Sequence, residues 1–178
     1  RDCVAELTAA ILAGQKFALF ADFDVDGATS TAILVRFFRH IGVDLPFYIP
    51  DRLREGYGPN INALKMLKEQ GADIVIMADC GTTAFDVVAQ GRSIGLDIVI
   101  LDHHEAEARL PDANHVINPK RKDDDSGYSM MAACGVSFML CVALNASLRQ
   151  AGYFNNRPEP PLKDWMDILA LGTVCDMV

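Results

Sequence analysis

Short apolar runs alternate with amphipathic stretches along the whole chain. The runs at 17–21, 45–49, 74–78, 98–101 and 116–117 have the length of strands, and several are apolar at every position, as expected of strands covered on both faces. Between them the apolar spacing lengthens. The stretch 29–41 carries Ile33, Leu34, Phe37, Phe38 and Ile41 at helical spacing. The stretch 61–70 follows Asn60, a good N-cap residue, and stops at Gly71; 83–94 stops before Gly95 in the same way. Further helices are predicted over 132–150 and 162–172. This alternation predicts an α/β fold: an open, mostly parallel sheet with helices on both faces. Two segments read as irregular, the charged 120–129 with three successive aspartates and the Asn- and Pro-rich 152–161. The expected organisation is one sheet domain over 1–151, then a linker and the start of a helical connector over 152–178.

Composition narrows this picture. Of the 178 residues 51% are hydrophobic, enough for a sizeable core. No run approaches the roughly 20 apolar residues that cross a bilayer, and the opening stretch, with Asp2 and Glu6, lacks the core of a signal peptide. The chain opens on Arg1 and stops at Val178 within an apolar run, as expected of a piece of a longer protein. Its five cysteines form no CxxC pair, which argues against structural zinc and against a disulfide framework. Cys134 and Cys141, seven apart, share a helix face and read as core thiols. Such cysteine usage points to a reducing compartment, the cytoplasm. A net charge of −8 argues against a generic nucleic-acid coat unless several aspartates bind cations and reverse the local field.

The candidate chemistry lies at strand ends. The run 17–21 leads into Asp22, Asp24 and Asp26; 74–78 leads into Asp79; 98–101 leads into Asp102, His103 and His104. A single Asp after a strand is usually a turn or cap residue. In a parallel sheet, however, all these ends lie along one edge, the edge that hosts the ligand crevice. Carboxylates brought so close raise one another's pKa unless cations join them. Mixed Asp and His ligation suits Mn²⁺ or Mg²⁺, and two such ions can serve phosphoryl hydrolysis. The Asp22–Gly27 run resembles the start of an EF-hand loop, but the twelfth position is Ile33, where a Glu is required. A haloacid-dehalogenase-like reading also fits poorly, because Asp26 or Ala28 stands where Thr or Val is needed. Gly27 reads as the strand-to-helix turn, with Thr29, Ser30 and Thr31 opening a helix that either is simply capped or holds an anion. No P-loop and no GxGxxG is present.

These residues resemble the motifs of the DHH phosphoesterases in their RecJ-type form. Asp22-Phe23-Asp24-Val25-Asp26-Gly27 resembles the first motif, Asp79-Cys80-Gly81-Thr82 the second, Asp102-His103-His104 the signature triplet, and Gly172-Thr173-Val174-Cys175-Asp176 the fourth, which falls in the 152–178 connector. Asp51-Arg52, Glu55-Gly56-Tyr57-Gly58, Asn118-Pro119 and Cys134-Gly135-Val136 extend the likeness. The resemblance implies two divalent metals, Mn²⁺ first and Mg²⁺ as the alternative. Its ligands would be Asp24, Asp26, Asp79, His103 and Asp176, with Asp79 bridging and Asp22 a further ligand or a supporting group. His104 would stabilise charge or donate a proton at the scissile phosphate, and Asp102 would orient the histidines. Arg52, Tyr57 and Asn118 would line the substrate cleft, Arg52 gripping a phosphate at the 5′ end. The implied reaction is metal-dependent hydrolysis of single-stranded DNA from its 5′ end, in repair and recombination in the bacterial cytoplasm, with single-strand-binding protein as a further partner. The family's DHHA1 and oligonucleotide-binding domains lie outside these residues, and basic and aromatic residues for gripping a strand are correspondingly sparse.

Two competing functions remain at this stage. One is a small-substrate DHH phosphoesterase acting on nanoRNA, a cyclic dinucleotide or pyrophosphate; those relatives tend to carry a His ahead of the first aspartates, where this chain has Phe20 and Ala21. The other is a non-catalytic scaffold that has lost ligands, whereas this chain keeps all of them.

Overall fold

The computed structural model describes residues 2–178. In chain order the elements are α1 (Asp2–Leu12), β1 (Phe17–Ala21), α2 (Val25–His40), β2 (Phe47–Tyr48), α3 (Arg52–Glu55), α4 (Ile61–Glu69), β3 (Ile74–Ala78), α5 (Phe85–Ser93), β4 (Asp97–Leu101), β5 (His115–Ile117), α6 (Ala133–Gln150), a 3₁₀ turn (Leu162–Trp165) and α7 (Met166–Asp176). The five strands form one sheet in the order β2-β1-β3-β4-β5, and every pairing is parallel. The expected α/β architecture with helices on both faces is the one observed.

Side chains alternate across the sheet with the period of two that a pleated strand imposes. Phe17, Leu19 and Ala21 of β1, with Ile74, Ile76 and Ala78 of β3, pack under α1, α2, α6 and the 3₁₀ turn before α7, where Leu7, Phe37, Phe38, Leu144 and Trp165 close the larger core. Phe20, Val75, Met77, Ile98 and Ile100 face the opposite way onto Leu64 and Leu67 of α4 and Val88 of α5. Both layers are buried, which is why β1 and β3 are apolar at all five positions. Cys134 and Cys141 are fully buried, and all five cysteines are free. Among the described residues no helix is long and apolar enough to cross a membrane.

Several boundaries differ from the sequence expectation, each for a local reason. The helix expected from Thr29 begins four residues earlier, because Asp24 adopts an extended backbone and its carboxylate accepts the Gly27 N–H at 3.0 Å. Gly27 is therefore inside the first turn of α2 and is not the turn itself. It is glycine because α2 starts against the preceding strand: a Cβ there would sit 2.2 Å from the Asp22 carbonyl oxygen. Thr29, Ser30 and Thr31 therefore lie inside α2 and do not open it with free N–H groups; the hydroxyls of Thr29 and Thr31 donate back to the carbonyls of Val25 and Gly27, both at 2.8 Å. The strand expected over 45–49 shrinks to Phe47–Tyr48 between Pro46 and Pro50, which have no N–H for a ladder. Helix α5 starts at Phe85 and not at Thr83, and the last helix begins as a 3₁₀ turn and runs on to Asp176. Helix α1 was not anticipated, although Cys3, Leu7, Ala10 and Ile11 lie at helical spacing and are its buried face.

The close approach at Gly27 gives a prediction. Alanine normally favours a helix over glycine by about 1 kcal/mol, but here its methyl must displace backbone, and overpacking of this kind costs about 1–3 kcal/mol or more. Gly27→Ala is expected to lower the urea midpoint; a variant at least as stable as the parent would contradict the packing described.

Candidate metal centre

The paired strands end level. Ala21 is in register with Ala78, Ala78 with Leu101, and Leu101 with Ile117. The ladder continues one residue further: the Asp22 N–H donates to the Ala78 carbonyl at 3.2 Å, Asp79 to Leu101 at 2.9 Å, and Asp102 to Ile117 at 3.0 Å. Asp22, Asp79, Asp102 and Asn118 therefore stand in a row along the carboxyl edge of the sheet. The chain leaves β1 for β2 on one side and returns to β3 on the other, so the edge between β1 and β3 is the switch point where open α/β sheets bind ligands.

Onto this row the structure brings the other residues. Asp24 caps α2 at the surface, and Asp26 follows it, buried, in the first turn. Both Asp26 oxygens accept backbone N–H groups at the start of α6, from Ala133 at 2.6 Å and Cys134 at 2.8 Å. The His103 ring lies at the centre, its Nε2 3.3 Å from Asp79 Oδ1 and 3.6 Å from Asp26 Oδ2, its Nδ1 3.5 Å from Asp176 Oδ2. Three overlapping groups offer atoms within 4.8 Å of one another: Asp22, Asp24 and Asp79; Asp79, His103 and His104; Asp26, His103 and Asp176. All six residues expected to hold metal are thus gathered, including Asp176, delivered by the far end of α7. Of the seven buried side-chain atoms among the described residues that lack a hydrogen-bond partner, four meet here: Asp22 Oδ1, Asp79 Oδ1, His103 Nδ1 and Asp176 Oδ2. Buried polar atoms are ordinarily paired, and this hard oxygen and imidazole donor set fits a divalent cation of the Mn²⁺ or Mg²⁺ kind. Asp79 also stands out in its backbone, with φ of 61°, a left-handed conformation that costs a non-glycine residue on the order of 1 kcal/mol or more.

A family model described as the DHH family, N-terminal domain, matches residues 16–173. The chain belongs to the DHH family. It is 36% identical over 168 residues to the single-stranded-DNA-specific exonuclease RecJ of Salmonella typhimurium, across 93% of this chain and 29% of that protein. With the RecJ of Bacillus subtilis it shares 34% over 169 residues, across 95% of this chain and 20% of that one. A crystal structure of exonuclease RecJ bound to manganese matches with a TM-score of 0.82 at 31% identity, across 98% of this chain and 42% of the other. This DHH chain spans less than a third of the length of the two exonucleases named.

Around the DHH triplet the electrostatics separate the carboxylates. Burial, then the charges of Asp26 and Asp24, push Asp79 up to about 9. Burial also raises Asp26 and Asp22. Asp102 goes the other way: burial opposes its charge, but the His104 hydrogen bond and charge and the Thr82 N–H hold its carboxyl well below the usual carboxylate range. The His104 ring, with Nδ1 2.7 Å from Asp102 Oδ1, is raised to about 9 by that bond.

The three residues expected in the substrate cleft divide. Arg52 and Tyr57 are exposed, and the Arg52 guanidinium rests against a pair of rings that also touch each other, 4.4 Å from the Tyr57 centroid and 4.9 Å from that of Phe23. Phe23 sits between two candidate ligands in sequence, and no spacing rule singled it out. Asn118 departs from the expectation: it is 2% exposed and its polar atoms are spent within the chain. Its Nδ2 donates to Thr82 Oγ1 and to the His104 carbonyl, both at 2.9 Å, and its Oδ1 accepts the Lys120 N–H at 2.8 Å. It has no donor left for a substrate. Sequence reasoning also missed the α6 N–H groups on Asp26, which no motif could reveal.

The raised groups fix a pH dependence. The folded Asp79 keeps its proton to about 9, whereas the unfolded chain releases it near 3.8, so the metal-free fold loses stability as pH rises through that interval. His104, about 9 folded and 6.5 unfolded, contributes stability that is likewise lost as pH rises. In EDTA the urea midpoint is expected to fall between about pH 6.5 and 8.5, and Asp79→Asn is expected to flatten the slope. A midpoint that climbs over this range contradicts the electrostatics described.

Proposed function

We propose that this DHH domain is the catalytic part of an exonuclease that hydrolyses single-stranded DNA from its 5′ end with divalent cations, two Mn²⁺ ions in preference and Mg²⁺ as substitute, in the bacterial cytoplasm during DNA repair and recombination. The observation that carries this reading is the set of four buried, unpartnered ligand atoms at the β1–β3 switch point. Asp79, common to two of the three ligand groups, would serve both ions; Asp22 and Asp24 would help to hold one, and Asp26, His103 and Asp176 the other. The likeness to RecJ proteins, one of them solved with manganese, supports both the reaction and the metal. Five free cysteines accord with a reducing compartment.

When bound, the cations would neutralise the phosphate and make water a nucleophile at neutral pH. The chain's own groups do the rest. Asp26, held by the start of α6, and His103, held among three carboxylates, fix the ligand geometry before substrate arrives. As water oxygen bonds to phosphorus, the bond to the 3′ oxygen of the first nucleotide breaks. That oxygen takes a proton from Nε2 of His104, whose Nδ1–H is anchored on Asp102; the water proton leaves to solvent. Arg52, resting on the Phe23 and Tyr57 rings, grips a strand phosphate, and Tyr57 offers its exposed ring to a base. Single-strand-binding protein is proposed as the partner that delivers the strand.

The test is a Mn²⁺-loaded crystal with anomalous scattering, together with turnover of a 5′-phosphorylated single strand, a duplex, a dinucleotide and pyrophosphate. Two metal peaks within the Asp and His cluster and a preference for the single strand are expected. Peaks elsewhere, or turnover confined to dinucleotide or pyrophosphate, overturn the assignment in favour of a small-substrate phosphoesterase. Asp79→Asn is expected to abolish tight Mn²⁺ binding by calorimetry. His104→Gln is expected to retain it while losing about 10²–10⁴ in kcat.

A further inference from the structure

We infer that Asn118 and Thr82 are positioning residues for His104: they close a hydrogen-bonded ring across three strand ends that holds this exposed imidazole in one place. The inference rests on His104 being the group that faces the scissile phosphate. The side chain of His104 is 59% exposed, so packing alone does not fix it. Three of its atoms are nevertheless tied. Its N–H and ring Nδ1 meet Asp102 Oδ1 at 3.2 and 2.7 Å, and its carbonyl accepts from Asn118 Nδ2 at 2.9 Å. The other Asp102 oxygen accepts the Thr82 N–H at 2.9 Å, and the Thr82 hydroxyl accepts the second Asn118 N–H, also at 2.9 Å. The ring therefore runs Asn118, Thr82, Asp102, His104 and back to Asn118, linking the ends of β5, β3 and β4. Except for His104 its members are buried, at 2% exposure or less. Both side chains are buried, and Asn118 spends its polar atoms on Thr82, the His104 carbonyl and the Lys120 N–H, so their effect on chemistry passes through His104. Buried supporting partners of this kind typically tune activity by about 10- to 100-fold.

Two substitutions open the ring at different points. Asn118→Ala removes both donors. Thr82→Val keeps shape and the backbone donor to Asp102 but removes the hydroxyl, so it remains informative if Asn118→Ala does not fold. Thr82→Ser restores the hydroxyl and serves as the conservative control. The first readout is the downfield proton signal of His104 Nδ1–H in the Mg²⁺-loaded chain, assigned by its disappearance in His104→Gln. It should be sharp in the parent and in Thr82→Ser, and broadened by solvent exchange in Asn118→Ala and Thr82→Val. The second is turnover of a 5′-phosphorylated single strand with Mn²⁺, where kcat should drop about 10- to 100-fold with KM and Mn²⁺ affinity unchanged. An unaltered Nδ1–H signal in Asn118→Ala and Thr82→Val, at temperatures well below unfolding, overturns the inference. Should the parent cleave no DNA, the exonuclease reading fails, while the proton signal still decides whether these residues hold His104.

Discussion

Crowding of like charge at the level ends of parallel strands governs this structure. Register forces Asp22, Asp79 and Asp102 into one row, and α2 adds Asp24 and Asp26 to the same edge. Carboxylates gathered in a partly dry place cannot all remain ionised alone. The fold answers in two ways. Asp102 is given donors and a cationic neighbour, and keeps its charge. Asp79 Oδ1 has no hydrogen-bond partner, burial and the charges of Asp26 and Asp24 outweigh that of His104, and its backbone is held in a left-handed conformation. One carboxylate thereby holds a histidine, and the other keeps a buried oxygen without a hydrogen-bond partner.

The two faces of the sheet serve this edge unequally. The side covered by α4 and α5 closes a smaller core and contributes none of the gathered ligands. The other side carries α2, α6 and α7, and all three reach the centre: α2 through Asp26, α6 through the two N–H groups that hold it, and α7 through Asp176. Their packing is tight where it matters. A Cβ at Gly172 would lie 2.3 Å from Thr29 Oγ1 and 2.6 Å from Cys134 Sγ, so glycine lets α7 approach α2 and α6 closely enough to deliver its final residue.

Much of this was legible in the sequence, for identifiable reasons. Strands buried on both faces read as unbroken apolar runs, so β1, β3 and β4 were placed to within a residue, and a parallel sheet then implied that Asp22, Asp79 and His103 meet. Asp176 was legible only through resemblance, because α7 is apolar on nearly every side and its pattern does not say which residue turns inward. Asn118 shows the opposite limit. Sequence gives the donors a side chain owns but not whether they are already spent, and here Thr82 and the His104 carbonyl consume them. The early start of α2 was missed because Gly27 suggested the strand-to-helix turn, when its real role is to let a helix touch the preceding backbone.

The bond between Asp26 and α6 spans 107 positions along the chain. During synthesis the first strand and helix emerge long before the residues that orient this carboxylate. A nascent or truncated chain ending before residue 133 carries Asp22, Asp24, Asp79 and the DHH triplet, yet has no donor for Asp26 and no α7. The cluster of Asp and His side chains is gathered only once α6 and α7 have docked, so its assembly waits on residues more than a hundred positions after its first aspartates.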